Sequence, residues 1–288
     1  MKRVISMLMA LLLLFGAAAA AEQPAEDEWW NILLMGGDSR SLTGYERTDS
    51  MLILSVNRET GALKMTSIMR DTWVKLAGRS QSQRINAANV YGGPQLAVDT
   101  VNECFDAGVE DYVLINMTGL IKVIDMVGGI DLEITESERQ YANHYAQDYL
   151  NSTADYDGET ELTSAGLVHM NGLLAMSYCR NRYTDSDYGR VMRQQKVLLA
   201  LAEKAQDTEL EELLAMAGEL TGNMETSLTG DELRRIGTAV LVVDPGEVGQ
   251  FRIPVDGTFE SGIKNGMWTI RPNFEKNKQL LHDFIYGE

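Results

Sequence analysis

The chain of 288 residues is 44% hydrophobic and 7% aromatic, which is enough apolar material for one large packed domain and excludes disorder throughout. Acidic residues number 42 and basic residues 25, and the resulting formal charge of −17 argues against DNA or RNA as a partner. No unbroken apolar run long enough for a membrane span follows residue 21, which excludes a polytopic membrane protein.

The amino-terminal segment has the pattern of an export signal. Lys2 and Arg3 form a basic start, residues 4–15 are apolar, and residues 16–21 are small, as at a signal-peptide cleavage site. We therefore expect residues 1–21 to be a signal peptide, with a short membrane anchor as the alternative. Residues 22–288 would then form the exported domain.

Predicted strands open this domain. Residues 29–36 are an apolar run that stops at two glycines, and residues 49–56 and 63–69 are apolar and rich in β-branched side chains. A polar turn that contains glycine joins the last two segments at residues 57–61, so we expect a β-hairpin there.

Helices and strands alternate along the rest of the chain. Apolar periodicity predicts helices at residues 94–105, 120–127, 170–178, 191–205, 210–220, 232–242 and 274–286. Shorter apolar runs predict strands at residues 112–117, 130–134 and 251–254. Because no repeat or linker-like segment interrupts this order, the sequence predicts one α/β domain.

An acidic segment at residues 136–161 differs from its surroundings because it is short of aliphatic side chains. Tyr141, Tyr145 and Tyr149 recur at every fourth position and would form one stripe on a helix. The stripe either packs this insert onto the core or forms a lid or a platform on which a sugar stacks.

Charged residues concentrate where the first three predicted strands end. Asp38 follows the first strand, and the hairpin places Asp49 and Arg70 at the same end of the sheet. Arg47 lies two residues before Asp49, on the same strand face. Two carboxylates beside arginines can hold Mg²⁺ over a phosphate. An ordinary ion-pair network at the rim of the sheet is the alternative.

A second basic cluster lies at residues 180–194. Arg180 and Arg182 would share one face if this segment is extended. Arg190 and Gln194 would lie one turn apart near the start of a helix, where anions bind well. Because arginine presents a planar donor fork that suits phosphate oxygens, we predict a pyrophosphate site here.

The sequence offers no covalent nucleophile beside these arginines. It contains neither a Gly-x-Ser-x-Gly elbow nor a P-loop, and Cys179 ends an apolar helix, which is typical of a buried small side chain. An enzyme of this kind would use direct attack by an acceptor hydroxyl on phosphorus. The sequence leaves open whether Cys104 and Cys179 pair, and two cysteines with three scattered histidines do not predict a zinc site.

The order of these motifs resembles the LytR-CpsA-Psr proteins of bacterial envelopes. The resemblance runs from about residue 31 to the terminal helix and is carried by residues 31–40, 47–72, 84–103, 115–134 and 169–195. It implies a single-domain αβα sandwich with a mixed central β-sheet. It also implies a slot for a polyprenyl chain, for which Gly92, Gly93 and the four residues Met117, Met126, Met170 and Met176 are candidates.

The resemblance further implies an activity at the outer face of the cytoplasmic membrane or in the cell wall. Such proteins transfer a glycosyl-phosphate polymer, for example teichoic acid or capsular polysaccharide, from a polyprenyl-pyrophosphate carrier to a peptidoglycan hydroxyl. By this resemblance Asp38 and Asp49 would hold Mg²⁺. The pyrophosphate would be bound by Arg47, Arg70, Arg180, Arg182, Arg190 and Gln194.

Some roles stay open at this point. Asp49, with Arg47 and Arg70, is the expected catalytic group, and Asp49 is the expected base, with Asp71 or bulk water as alternatives. Arg40 and Arg84 match positions that are often basic in the family, where supporting ion pairs and ligand contacts are equally consistent. A non-catalytic binder or carrier of lipid-linked polymer is the competing function. Transcriptional regulation conflicts with the export signal and the negative charge.

Overall fold

The computed structural model describes residues 28–39, 44–152, 156–181, 187–205, 220, 222–232, 235 and 245–287. A mixed sheet of six strands lies at its centre in the order β10-β3-β2-β1-β6-β9. These strands are β1 (Trp29–Gly37), β2 (Thr48–Asn57), β3 (Leu63–Ile68), β6 (Val109–Ile115), β9 (Met224–Thr226) and β10 (Gly249–Ile253). The mixed central sheet confirms the predicted α/β class.

The predicted hairpin forms the middle of this sheet. β2 pairs with β1 and with β3 in antiparallel register, and the β2–β3 turn places Gly61 at a φ of 73°. β6 runs parallel to β1 on the other side, and β10 runs parallel to β3. Since β1 and β3 run in one direction and β2 in the other, the end of β1, the start of β2 and the end of β3 lie at the same edge.

Helices cover both faces of the sheet. They are α1 (Ala88–Phe105), α2 (Met117–Met126), α3 (Glu136–Leu150), α4 (Gly172–Arg180), α5 (Asp187–Ala205) and α6 (Phe274–Tyr286). Side chains alternate along the strands, so Leu33 and Ile53 pack with α1 and α6 on one face. Ile32 and Leu54 pack on the other face, against the side of α5. The three layers are those of an αβα sandwich.

A third apolar cluster joins α2, α3 and α4 to a small antiparallel sheet of β7 (Ile130–Ile134) and β8 (Gly166–Met170). The acidic insert forms α3, and a capping box between Thr135 and Glu138 fixes its start. Tyr149 is buried, and its hydroxyl lies 3.3 Å from that of Thr118. The helical part of the insert therefore packs onto the core, which is one of the two predicted alternatives.

Several elements differ from the sequence prediction. Helix α1 begins at Ala88, before the predicted residue 94, because a kink at Gly92 and Gly93 joins two helical segments. Two short hairpins were not predicted, because their strands lack a clear apolar alternation. They are β4 (Trp73–Lys75) with β5 (Ser82–Arg84), and β11 (Phe259–Lys264) with β12 (Met267–Pro272).

Some predictions fall on parts of the chain that the structure does not describe. Residues 1–21 and the predicted helices at 210–220 and 232–242 lie wholly or largely outside the described residues. None of the helices in the described ranges combines the length and apolar character that a membrane span requires.

Candidate active site

The first group of predicted site residues lies at the edge of the central sheet where β1 ends, β2 begins and β3 ends. Asp38 directly follows β1, Asp49 lies at the start of β2, and Arg70 lies just beyond β3. The Asp38 amide donates to the Arg47 carbonyl at 3.0 Å. The Arg70 guanidinium donates from Nη1 to Oδ1 of Asp49 at 2.5 Å. The predicted meeting of Asp38, Asp49 and Arg70 is therefore present in the fold.

A cavity of about 80 Å³ opens at this edge. Five of the predicted site residues line it, namely Asp38, Asp49, Arg180, Arg190 and Gln194. Arg70 reaches it through Asp49, whereas Arg47 is exposed and Arg182 lies outside the described residues. The structure thus combines the two basic clusters, which are far apart in sequence, in one charged cavity.

Arg180 reaches this cavity from the end of a helix. The sequence left open whether residues 180–182 are extended, and the structure makes Arg180 the last residue of α4, with Asn181 as its cap. The apolar periodicity of α4 continues through Cys179, so the helix ends later than predicted. The Arg180 Nη2 lies 3.9 Å from Oδ1 of Asp38. The carboxylate of Asp148 lies 3.4 Å from Nη1, on the other side.

Helix α5 supplies the second pair of predicted ligands. It begins at Asp187, before the predicted start, and carries Arg190 and Gln194 on the face toward the cavity. Arg190 is only 2% exposed. A permanently charged guanidinium at such a depth, where the dielectric constant is low, interacts with an anion more strongly than a guanidinium in water does.

Asp71 and Arg84 form a supporting ion pair behind Arg70. Arg84 Nη1 lies 3.2 Å from Oδ1 of Asp71, and Arg84 Nε donates to the Trp268 carbonyl at 2.9 Å. The Asp71 carboxylate also lies 3.9 Å from Arg70 Nε. Of the two alternatives for Arg84, the structure shows the ion pair. Arg40 lies outside the described residues.

An apolar cavity of about 150 Å³ continues from the charged one. The two cavities share the lining residues Gly36, Ser50, Ile115, Leu120, Cys179 and Gln194. The apolar cavity lies between the sheet and helices α2 and α5, and aliphatic side chains such as Leu34, Leu54 and Leu198 line it. An open apolar slot inside a core is unusual, because protein interiors normally pack without voids.

The methionines proposed for this slot lie elsewhere. Met117 and Met176 line the charged cavity, and Met126 and Met170 pack in the cluster around α2 and α4. None of the four candidate methionines lines the apolar cavity, and neither does Gly92 or Gly93; the methionine that does line it is Met35. Strand and helix positions with Leu, Ile and Val form the slot, and their pattern in sequence does not differ from that of ordinary core residues.

Both cysteines are free and buried, and they lie in different apolar clusters. Burial raises the pKa of Cys179 to about 12 and that of Cys104 to about 11. Cys179 lines both cavities, but its thiol stays protonated at neutral pH and is therefore a poor nucleophile. It acts as a small apolar wall residue, as predicted.

The fold and the site together define a class of protein: an αβα sandwich with an arginine- and carboxylate-lined cavity that continues into an apolar slot. The chain belongs to the LytR_cpsA_psr family, whose sequence profile matches residues 16–282. This family assignment confirms the resemblance seen in the sequence motifs.

Named relatives and solved structures agree with this assignment. The polyisoprenyl-teichoic acid–peptidoglycan teichoic acid transferase TagU of Bacillus cereus is 31% identical over 210 residues, which cover 70% of this chain and 62% of TagU. The chain thus matches somewhat less than two thirds of the length of this relative.

The B. subtilis TagV crystal structure has a TM-score of 0.68 and 25% identity, and the match covers 91% of this chain and 98% of TagV. A structure of TagT bound to LIIa-WTA has a TM-score of 0.71 and 22% identity, covering 92% of this chain and 94% of TagT. Another TagT structure, with bound octaprenyl pyrophosphate lipid, has a TM-score of 0.67 and 20% identity, with coverage of 93% and 94%. At these identities the TagT structures establish a common fold.

Proposed function

We propose that this protein transfers a glycosyl-phosphate polymer from a polyprenyl-pyrophosphate carrier to a hydroxyl group of peptidoglycan. The observation that carries the proposal is the continuity of a charged cavity with an apolar one. Such a cavity complements a ligand with an anionic head and a hydrocarbon tail. The name of the relative TagU and the octaprenyl pyrophosphate bound to TagT support the same ligand class.

The arginines would hold the pyrophosphate head group. Arg180 and Arg190 line the charged cavity, and Arg70 lies at its edge in contact with Asp49. Guanidinium forks bind phosphate oxygens in pairs, and in a partly buried site they stabilise the charge that develops on the leaving phosphate. Gln194 adds a neutral donor, and Arg47 and Arg182 are the remaining predicted ligands.

Mg²⁺ is the cation that fits the carboxylates of this site. Asp38 and Asp49 line one cavity, and among the described residues no group of three or more His, Cys, Asp or Glu side chains is arranged to hold a metal ion. This donor set suits a hard cation that takes one or two carboxylates and completes its shell with water and phosphate oxygens. When bound, Mg²⁺ would neutralise charge on the pyrophosphate.

The acceptor hydroxyl oxygen would attack the phosphorus atom that carries the sugar. The bond from that phosphorus to the bridging oxygen breaks, so polyprenyl monophosphate leaves and a phosphodiester to peptidoglycan forms. Asp49 is our candidate for accepting the hydroxyl proton, because it lines the cavity. Asp71 is held between Arg70 and Arg84, behind the site, which makes it a weaker candidate.

The ion pair between Arg70 and Asp49 has a role in this scheme. Arg70 donates to Asp49 at 2.5 Å, so an incoming pyrophosphate would attract the guanidinium away from the carboxylate. Asp49 would then be available to the cation and to the acceptor hydroxyl. We place this chemistry at the outer face of the cytoplasmic membrane, since residues 1–21 have the pattern of an export signal.

Turnover of a defined donor tests the proposal. Purified protein, Mg²⁺, a polyprenyl-pyrophosphate-linked glycopolymer and peptidoglycan fragments should yield polyprenyl monophosphate together with polymer-modified peptidoglycan, detected by mass spectrometry. A protein that binds the donor but yields neither product over many hours would be a carrier, which is the competing function. Release of the polyprenyl monophosphate without an acceptor product would contradict the transfer step.

A further inference from the structure

A buried arginine that does not line either cavity holds the segment that carries Arg180. Arg193 is 2% exposed, and its Nη2 donates to the Asn181 carbonyl at 2.8 Å. Asn181 caps α4 directly after Arg180 and is itself fully buried. Although Arg193 lies next to Gln194 on α5, it points to the backbone beside the ligand-binding arginine and not to the cavity.

Arg193 is anchored in turn by the insert. Its Nη1 lies 3.6 Å from Oε1 of Glu138. The Tyr178 hydroxyl donates to the same oxygen at 3.2 Å. The second Glu138 oxygen accepts from the Thr135 amide at 2.9 Å, within the capping box of α3. Burial and the nearby Glu138 raise the pKa of Tyr178, so this phenol remains a donor.

The other end of α3 contacts Arg180 itself. The Arg180 guanidinium carbon lies 5.1 Å from the ring centroid of Tyr145, a distance at which a cation and an aromatic face attract each other. Asp148, on the same side of α3, lies 3.4 Å from Arg180 Nη1. One helix therefore fixes both the backbone and the guanidinium at the carboxyl end of α4.

We infer that Arg193 and Tyr145 are positioning residues, which hold the Asn181 peptide and the Arg180 guanidinium at the pyrophosphate end of the cavity. The inference rests on the proposed function, because it assumes that the anion of the ligand binds at Arg180. It assigns the acidic insert the role of a rigid support for one ligand-binding arginine. Neither residue contacts the ligand in this scheme.

The binding of two lipids distinguishes a positioning role of Arg193 from a role in general stability. Geranylgeranyl pyrophosphate presents the anion and a tail, whereas geranylgeraniol presents the tail and no phosphate. Arg193→Lys keeps the charge, but one ammonium group cannot reproduce the planar fork that reaches both Asn181 and Glu138. This variant should bind the pyrophosphate lipid about tenfold more weakly and the alcohol unchanged, because only the anion depends on Arg180.

Arg139→Lys is the matched control. Arg139 lies on α3, whereas Arg193 lies on α5, and like Arg193 it donates to a backbone carbonyl and pairs with a glutamate of α3: it donates to the Leu162 carbonyl at 2.7 Å and pairs with Glu136 at 2.7 Å, but it fixes a different segment. Its substitution should leave the binding of both lipids unchanged. The inference is overturned if Arg193→Lys leaves pyrophosphate binding intact, or if it weakens the binding of both lipids equally.

Tyr145 supplies a second variant if Arg193→Lys does not fold. Tyr145→Leu should weaken binding of the pyrophosphate lipid about threefold, and Tyr145→Phe should restore it, since phenylalanine keeps the aromatic face. Equal affinities in all three proteins would overturn the role of Tyr145. If the wild-type protein binds the pyrophosphate lipid no more tightly than the alcohol, the proposed function fails first, and the inference fails with it.

Discussion

The central sheet carries an arginine–carboxylate pair at each end of β2, and of the two pairs only the one with Asp49 contributes to the lining of the charged or the apolar cavity described above. At one end Arg70 donates to Asp49 at 2.5 Å, beside the charged cavity. At the other end Arg58 lies 3.1 Å from both carboxylate oxygens of Glu110 and packs over the Trp30 ring at 4.8 Å. The local chemistry of the two pairs is the same, so an ion pair at a sheet edge does not by itself indicate a site.

The surroundings distinguish the two ends. Arg180 and Arg190 add positive charge beside Asp49, and an apolar slot opens behind them. The Arg58 guanidinium instead packs on an aromatic ring, and Glu110 is half exposed to water. The edge with Asp49 therefore combines charged groups with space for a ligand, whereas Arg58 and Glu110 line neither of the two described cavities.

The largest expected effect comes from removing Arg70, and removal of Arg58 at the other end of β2 is the comparison. Arg70→Ala should lower the turnover of the lipid-linked donor by about 10²–10³-fold, the usual loss when one donor to a transition-state anion is removed. Arg58→Ala should leave turnover near the wild-type value and cost roughly 1–2 kcal/mol of stability, because it removes both a partly exposed ion pair and the packing of the guanidinium on Trp30. Turnover and thermal unfolding should be measured on both variants. Equal losses of turnover would remove the distinction between the two ends.

The carboxylates allow a second comparison. Asp49→Asn keeps the shape and removes the charge, so we expect about a 10²-fold loss of turnover, whereas Glu110→Gln should have little effect.

Activity of the wild-type protein should also disappear with EDTA and return with Mg²⁺. If the rate stays flat through chelation and add-back, the arginines alone neutralise the pyrophosphate.

Filling the slot should distinguish the contribution of the lipid tail to binding from that of the pyrophosphate head group. Leu198→Trp places a large ring in the apolar cavity, and we expect about a tenfold loss of geranylgeranyl pyrophosphate binding, equivalent to about two methylene groups at roughly 0.8 kcal/mol each. Inorganic pyrophosphate should bind as before. Leu199→Trp, at the neighbouring position outside the cavity lining, is the control. Similar losses in the two variants would indicate general damage to α5.

The smallest expected effect concerns the two thiols. Cys179 lines the slot and Cys104 lies on the opposite side of the sheet, so bound lipid should slow alkylation of Cys179 alone. Their pKa values are raised to about 12 and about 11, so both should react slowly at pH 8 and faster as the pH rises. Because the pKa values of both thiols are raised in the folded protein, the thiols contribute to the free energy of unfolding below pH 9. This contribution is lost as the pH rises through the raised pKa values. Mass spectrometry can follow the alkylation of each thiol. Equal protection of both thiols by the lipid would argue against a lipid in the slot.

The sequence was sufficient to predict those parts of the site that depend on residues close together along the chain. A hairpin and a preceding strand are enough to bring Asp38, Asp49 and Arg70 to one edge, and the helical period places Arg190 and Gln194 on one face. The family resemblance covered the same residues. Arg182, which the sequence predicts as a ligand, lies outside the described residues.

The contacts that support the site could not be predicted. Arg193 reaches Asn181, and Tyr145 reaches Arg180, because of how α3, α4 and α5 pack, and no local pattern specifies that packing. The end of α4 was predicted one or two residues before Arg180, because polar residues at a helix end resemble a loop. The tyrosine stripe was a signal in the sequence, but it left open whether the stripe packs on the core or forms a lid or platform, and it did not identify Arg180 as the neighbour of Tyr145.

A crystal structure with geranylgeranyl pyrophosphate and Mg²⁺ tests the central claim most directly. The account predicts a pyrophosphate beside Arg70, Arg180 and Arg190, with the hydrocarbon tail in the slot between the sheet and α5. A head group bound near Arg58, or a tail that lies on the outer surface while the slot stays closed, would contradict it.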